Sequence, residues 1–365
     1  MSLSIGIVGL PNVGKSTLFN ALTKKGVLIA NYPFATIDPS VGVVAVPDER
    51  LYKLAEFSKT QKTVPAAVEF VDIAGLVKGA SAGEGLGNKF LTNIRETDAI
   101  VEVVRIFEDS DILHVDNKVD PMSDIGVINL ELIMADLETV TKRHQNIGRE
   151  IKQAKKEAII ESGLLTKLQT VLEKGLLASS VPIDEYEAPI LHGLHLLTAK
   201  KILYVLNKKS GGTNLDEVND ERYQKLMDFI RESKSDYVIV DAGIENEVRD
   251  MTDAEKVEMR EGMGADKSGI DALIKKGYEM LGLITYFTTG EIETRAWTIH
   301  RGWTAPMAGT AIHGDFKDKF VRAEVIEWDK LLGAGSFGVA REKGLIRVEG
   351  KEYIVQDGDV MEFKI

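Results

Sequence analysis

The chain has 365 residues, 44% of them hydrophobic and 28% charged, no cysteine, and a formal net charge of −12 at pH 7. That length asks for two or three cores rather than one, and the balance excludes a largely disordered chain. Absence of cysteine excludes disulfides, thiolate metal centres and thiol catalysis, while the acidic balance argues against a whole-surface nucleic-acid binder without excluding a local basic patch.

Met1 leads straight into an apolar run, with neither a charged n-region nor a segment long enough for a signal peptide or membrane span, so a soluble, cytoplasmic protein with no membrane partner is expected. Leu3 to Val8 reads as a short buried strand and Thr17 to Leu22 as the first turns of a helix. Between them Gly9-Leu10-Pro11-Asn12-Val13-Gly14-Lys15-Ser16-Thr17 fits G-x-x-x-x-G-K-[ST] in the strand–loop–helix context that this pattern needs. Its physics is anion capture. Gly9 and Gly14 let successive N–H groups of Asn12, Val13, Gly14, Lys15, Ser16 and Thr17 point at one spot beside the positive end of a helix. Lys15 adds a point charge for the outer phosphates, and the Ser16 hydroxyl is a ligand for Mg²⁺. The segment predicts nucleoside triphosphate binding.

Asn31 to Thr36 falls in a loop after the first helix, where G-proteins place a threonine on Mg²⁺ and the γ-phosphate; Thr36 is the candidate, and a capping or turn threonine is the plain alternative. Val41–Val46 and Val68–Val71 read as strands. Asp72-Ile73-Ala74-Gly75 then fits D-x-x-G, in which the Asp72 carboxylate holds a Mg²⁺-bound water and the Gly75 N–H senses the γ-phosphate. Lys78 to Asn88, rich in glycine, reads as a switch segment. Leu76 stands where Ras-like enzymes need a glutamine to orient water, so hydrolysis must be slow or be helped by another group. Ala99–Val104 is a strand, and His114 in the loop beyond it either positions that water or packs as an ordinary histidine.

From Leu130 through Ile133, Leu137, Val140, His144, Ile147, Ile151 and Ala154 to Ala158 the spacing alternates threes and fours, which predicts a long coiled-coil helix. Ser162-Gly163 breaks it, and Leu164 to Leu176 supplies a return helix. An antiparallel helical hairpin over 129–199, inserted between two strands of the sheet, is expected. His144 reads as a tolerated polar seam position rather than a ligand.

Ile202–Leu206 is a strand ending in Asn207-Lys208-Lys209-Ser210, which meets the first two places of the guanine motif N-K-x-D and not the last. Serine makes no charged bidentate contact with guanine, and Asp216 and Glu217 lie too far along the chain to substitute. After the strand Tyr237–Val240, the second base-side motif, Ser-Ala-Lys in many G-proteins, is Asp241-Ala242-Gly243. Both departures favour ATP over GTP. Past Leu281, short runs at Ala296–Ile299, Arg322–Val325, Leu345–Val348, Tyr353–Val355 and Val360–Phe363 alternate with Gly-rich turns and predict a small mixed-β domain.

These residues resemble those of the YchF or Obg-like ATPase family, a branch of the Obg-related translation-factor P-loop NTPases. The likeness runs nearly end to end and rests on Gly9–Thr17, Asn31–Pro39, Asp72–Ala80, Gly83–Leu91, Val103–Phe107, Tyr286–Gly290, Arg295–Ile299 and Arg322–Val325. It implies an α/β P-loop NTPase G domain of Obg type over 1–280, interrupted by the 129–199 helical insert, then a ubiquitin-like β-grasp TGS domain over 281–365. It further implies a monomer that hydrolyses ATP in preference to GTP, with Mg²⁺ on Ser16 and Thr36. Its partner would be the ribosome, at the large subunit and its rRNA. Leu76 in place of glutamine is typical of the family, whereas Ser210 departs from its usual N-x-x-E. Asn12 matches NTPases that use K⁺ beside Mg²⁺. Lys15, Thr36, Gly75 and His114 are thus the expected catalytic set, with Asn207 and Lys208 on the base.

Two surfaces could meet a ribosome: Lys142, Arg143, Arg149, Lys152, Lys155 and Lys156 on the hairpin, and Arg295, Arg301, Lys317, Lys319 and Arg322 beside Trp297 and Trp303. For the first, a solvated coiled-coil exterior is the competing reading. At the level of function three readings stand: a ribosome-coupled ATPase switch, a GTP-hydrolysing ribosome-assembly factor, and a nucleotide-gated RNA- or protein-binding module whose turnover is incidental.

Overall fold

A computed structural model describes residues 3–24, 40–73, 86–109, 118–153, 155–218, 220–263 and 268–365. The described strands are, in chain order, β1 (Ser4–Gly9), β2 (Val41–Ala45), β3 (Lys62–Val64), β4 (Ala67–Asp72), β5 (Ala99–Arg105), β6 (Phe107–Glu108) and β7 (Ile202–Asn207). They continue as β8 (Thr213–Asn214), β9 (Asp236–Val240), β10 (Leu283–Thr288), β11 (Glu293–His300), β12 (Arg322–Glu327), β13 (Arg347–Glu349) and β14 (Asp359–Lys364). Helices needed below are α1 (Lys15–Lys24), α2 (Glu49–Phe57), α3 (Leu86–Glu96), α4 (Pro121–Asn146), α5 (Gly148–Lys152) and α6 (Lys156–Glu173). Two compact units result, one drawn from Met1–Lys25, Pro33–Gly42 and Glu69–Leu273, the other from Gly26–Tyr32, Val43–Val68 and Ile274–Ile365.

One sheet has the strand order β2-β4-β1-β5-β7-β9. The pairs β4–β1–β5–β7–β9 are all parallel, with Ile5 opposite Phe70, Ile7 opposite Val101, Val103 opposite Val205 and Asn207 opposite Val240. A parallel sheet covered on both faces wants strands apolar on both faces, and β5 (AIVEVVR) is buried at all seven positions. Glu102 and Arg105 are therefore carried into the interior by their strand. The topology puts the ends of β1, β4, β5, β7 and β9 along one edge of the sheet, the usual place for a ligand in such a fold.

Helix α4 starts where the local chemistry says it should: Asp120 accepts from Ser123 N–H at 3.2 Å and Pro121 occupies the first turn. Ile133, Val140 and Ile147 share an apolar cluster with Ala158, Leu164, Leu165, Leu168 and Leu172 of α6. The seam expected from Leu130 to Ala158 is shorter than its spacing implied. Leu130 is 57% exposed, α4 stops at Asn146, and the short α5 separates it from α6; Ala154 lies outside the described residues. Ser162-Gly163, expected to break the helix, sits inside α6. A Cβ on Gly163 would meet nothing within 4 Å, so this glycine occupies open space and costs the helix about 1 kcal/mol in propensity without ending it. Buried Asp136 closes the bundle. It accepts from Leu197 N–H at 2.9 Å, Thr198 N–H at 2.7 Å and the Thr198 hydroxyl at 2.6 Å.

The second unit holds a mixed sheet ordered β13-β12-β14-β10-β11-β3. β10 and β11 pair antiparallel with Tyr286 opposite Trp297, β14 joins β10 in parallel, and β3 joins β11 in parallel with Thr63 opposite Thr294. Its core is Ile284, Tyr286, Ile299, Phe320, Ala323, Val325 and Met361. The run Tyr353–Val355 forms no strand, only a bridge from Ile354 to Thr304. Among the described residues no helix is long and apolar enough to cross a membrane.

Candidate functional site

The turn from β1 into α1 is held by packing below and one amide side chain above. Val13 is fully buried, and Gly14 takes φ +95°, a conformation that favours glycine. A Cβ there would stand 2.2 Å from Asn207 Nδ2, so the loop and Asn207 fit only because residue 14 has no side chain. Asn207, at the end of β7, donates from Nδ2 to Val13 O at 2.8 Å and accepts from Ala242 N–H on Oδ1 at 3.0 Å. One side chain thereby ties the phosphate loop to the turn after β9. Asn12 is exposed with φ +65°, and Leu18 N–H returns to Gly14 O at 2.9 Å as α1 begins.

Lys15 is only 9% exposed and its ammonium is ion-paired with the Asp72 carboxylate, at the end of the neighbouring strand β4. Loop amides, ammonium, the exposed Ser16 hydroxyl and the Asp72 carboxylate thus collect at one strand edge. Oxygen donors of this kind suit a hard cation such as Mg²⁺ that draws its remaining ligands from phosphate and water. Among the described residues no group of three or more His, Asp or Glu side chains converges as a metal cage. Thr36, Gly75, Leu76 and His114 lie outside the described residues.

The segment leading from β5 towards His114 is anchored from two sides. Arg105, 1% exposed, donates from Nε to Phe107 O at 2.9 Å and from Nη2 to Asp109 O at 3.3 Å, its guanidinium 4.5 Å over the Phe107 ring. Burial lowers its pKa, against the pull of the nearby carboxylates of Asp109, Asp124 and Glu108. The Asp109 carboxylate is ion-paired with Lys209 of the base-side loop, and β6 pairs with β8 just beyond that loop. Behind this segment Glu102 is buried with neither carboxylate oxygen hydrogen-bonded; burial, then Asp124, push its pKa well up.

In the loop expected to face the base, Lys208 N–H donates to Val240 O at 2.9 Å and its ammonium reaches Glu217 at 3.1 Å. Glu217, judged too distant by sequence separation, is folded back onto the loop. The hinge is Asn214, which accepts from Lys209 N–H and donates to Lys209 O, both at 2.9 Å. Sequence reading missed Lys209, Asn214, Asp109 and Arg105 as parts of the site; an arginine ending a central strand whose other charged residue is Glu102 was the one visible signal for any of them.

Of the expected hairpin cations, Lys142 pairs with Glu138 and Arg143 with Glu161 at 2.5 Å, while Arg149, Lys152, Lys155 and Lys156 are exposed. In the second unit Arg295 stacks on Trp297 at 4.1 Å, Lys319 pairs with Asp315 at 2.6 Å, and Arg301, Lys317 and Arg322 are exposed.

Comparison with known proteins gives a consistent picture. A family described as "50S ribosome-binding GTPase" matches residues 4–160, and the YchF-GTPase_C family, described as a protein of unknown function, matches residues 283–365. The ribosome-binding ATPase YchF of Bacillus subtilis is 51% identical over 100% of this chain and 99% of its own. That of Haemophilus influenzae is 47% identical with the same coverage. The solved structure of the Schizosaccharomyces pombe YchF GTPase superposes with a TM-score of 0.88 at 38% identity, covering 100% of this chain and 98% of that one.

Proposed function

The chain belongs to the YchF family, and on that footing we propose that it is a Mg²⁺-dependent ATPase that binds the ribosome and couples its nucleotide state to docking. The observation that carries the chemistry is the buried ammonium of Lys15 held against Asp72 at the mouth of the phosphate loop. Without a nucleotide the two neutralise one another. A polyphosphate would draw Lys15 to its outer phosphates and free the Asp72 carboxylate; Ser16 and Thr36 would hold Mg²⁺, with Asp72 acting through a water. The chemistry Mg²⁺ would supply there is positive charge against the negative charge that develops on the transferred phosphate. Attack is in line, with no covalent intermediate. Gly75 N–H senses the γ-phosphate, and His114 orients the water that Leu76 cannot.

The organisation we propose is a G domain over 1–280 interrupted by a helical hairpin over 129–199, then a β-grasp TGS domain over 281–365. The shared α4–α6 cluster supports the hairpin, and the mixed sheet with its parallel β10–β14 pair supports the last domain. The protein acts as a cytoplasmic monomer on the large subunit, contacting rRNA through the exposed cations Arg149, Lys152, Lys155 and Lys156 and through Arg301 and Arg322. K⁺ assists turnover through Asn12.

Turnover of ATP by the full chain, with and without purified ribosomes and large subunits, tests this reading. Expected are Mg²⁺-dependent hydrolysis abolished in Lys15→Ala, slowed with binding intact in His114→Ala, faster in K⁺ than in Na⁺, and ribosome affinity that differs between apo, diphosphate and triphosphate-analogue states. Affinity should fall steeply with salt if phosphate contacts dominate. Equal ribosome affinity in all three states would refute the switch, and undiminished turnover in Lys15→Ala would refute the site.

A further inference from the structure

The corner that faces a nucleobase is built from two loops, Asn207–Ser210 leaving β7 and Asp241–Gly243 leaving β9. G-proteins put an aspartate at the fourth place of the first loop and a serine at the first place of the second. Here the two residue types are exchanged, Ser210 standing on the first loop and Asp241 on the second. The exchange keeps a carboxylate at the same corner. Ser210 N–H donates to Asp241 Oδ2 at 2.6 Å and Ile244 N–H donates to Oδ1 at 3.0 Å. The Ser210 hydroxyl is directed to Met263 O at 3.5 Å.

We propose that Asp241 is the residue that selects the purine, and that it selects adenine by accepting from the amino group at C6. The proposal rests on the ATPase reading above and deepens it. An ionised carboxylate is acceptor-only, and with one amide proton on each oxygen it keeps lone-pair capacity on both. Two backbone donors fix its orientation, so it meets a ligand without reordering. The amides of Ser210, Ala242 and Ile244 are already given to Asp241, Asn207 and Asp241 in turn, so they are not on offer to an oxo group. Neighbouring lysines are engaged as well, Lys208 with Glu217 and Lys209 with Asp109, so neither is paired with Asp241. Adenine presents a donor at C6 where guanine presents an acceptor. A charged acceptor facing that position gains a hydrogen bond from the first and repels the second. Asn207, tied both to Val13 O and to the Ala242 amide, sets how far this corner stands from the phosphate loop.

Dissociation constants of the full chain for non-hydrolysable ATP and GTP analogues, with Mg²⁺, test the assignment in wild type, Asp241→Asn and the double variant Ser210→Glu/Asp241→Ser. Asparagine still caps the following helix through its one carbonyl oxygen but offers no second acceptor to Ser210 N–H, so melting should fall modestly, and the ratio of the two affinities cancels any general loosening of the loop. The expected result is a fall of at least tenfold in ATP-over-GTP preference for Asp241→Asn, with recovery when the acid is returned to position 210. Triphosphates of 2,6-diaminopurine and hypoxanthine sharpen it. The penalty should follow the 6-amino group, striking ATP and the diaminopurine nucleotide and sparing GTP and ITP. An unchanged ratio in a wild-type background that prefers ATP, or a penalty that follows the 2-amino group, overturns the role of Asp241 alone. A wild type that prefers GTP overturns the ATPase reading with it.

Discussion

Replacing Gly14 with alanine would set the phosphate loop against Asn207. The new Cβ would lie 2.2 Å from Nδ2 and 3.4 Å from Cγ of a side chain that is 4% exposed and bonded at both ends. Asn207 cannot swing away without breaking both bonds and orphaning Val13 O and Ala242 N–H. Loss of two buried hydrogen bonds costs about 2–3 kcal/mol, and an L-residue held at positive φ adds about 1–2 kcal/mol. The sum of roughly 3–5 kcal/mol lowers the melting temperature of a unit this size by about 10 °C. Thermal unfolding of wild type, Gly14→Ala, Asn207→Ala and the double variant forms the cycle that tests this. In the Asn207→Ala background the clash is gone, so Gly14→Ala should retain only its backbone cost of about 1–2 kcal/mol. If Gly14→Ala costs the same in both backgrounds to within about 0.5 kcal/mol, the contact does not govern the loop and the reasoning fails.

Other perturbations follow from buried charge. Glu102→Gln should leave the protein as stable or more stable at neutral pH. The unfolded carboxyl loses its proton near 4.5 while the folded one retains it to a much higher pH, so wild-type stability falls as pH rises above 4.5. The melting-temperature gain of the variant should therefore grow between pH 5 and 8, and a gain independent of pH would contradict it. Asp136→Ala removes the acceptor of three hydrogen bonds and should cost about 3–5 kcal/mol in chemical denaturation, whereas Asp136→Asn should recover part of that. Arg50 bridges Asp48, the N-cap of α2, and Asp357 at 2.8 and 2.6 Å. Arg50→Ala leaves two carboxylates facing each other and should cost about 2–4 kcal/mol, less in high salt; a loss that salt does not diminish would point to packing instead.

The phosphate loop and the sheet strands were legible because each is a local statement. A nine-residue pattern between a strand and a helix, or a run such as Ala99–Val104, carries its own periodicity. The helical region was less so. Spacing by threes and fours continues from Leu130 to Ala158 whether or not the backbone does, and the turn between Asn146 and Lys156 interrupts it without a proline or an isolated glycine cluster. Gly163 suggested a break because propensity was read without knowing that its side faces open space. At the loops expected to face the base, each motif taken by itself shows Asp241 as a departure from Ser-Ala-Lys and not as a carboxylate that reaches residue 210 from another strand. Pairing between residues 31 positions apart is a property of the sheet, and no single-loop motif reports it. The same holds for Lys209 and Asp109, 100 residues apart.

The second unit imposes an order on biosynthesis. Thr60 donates to Gly290 O at 2.6 Å, and Thr63 of β3 pairs with Thr294, partners some 230 residues later in the chain. At ordinary elongation rates that interval is on the order of ten to fifty seconds. Through it Leu51, Leu54 and Val64, all buried at the finish, have been translated before the strands that complete their unit exist. A nascent chain of this protein therefore carries an unmatched apolar helix and an open strand edge for most of its time on the ribosome. It is during that window, rather than after release, that trapping by a chaperone or by a neighbouring chain should be sought.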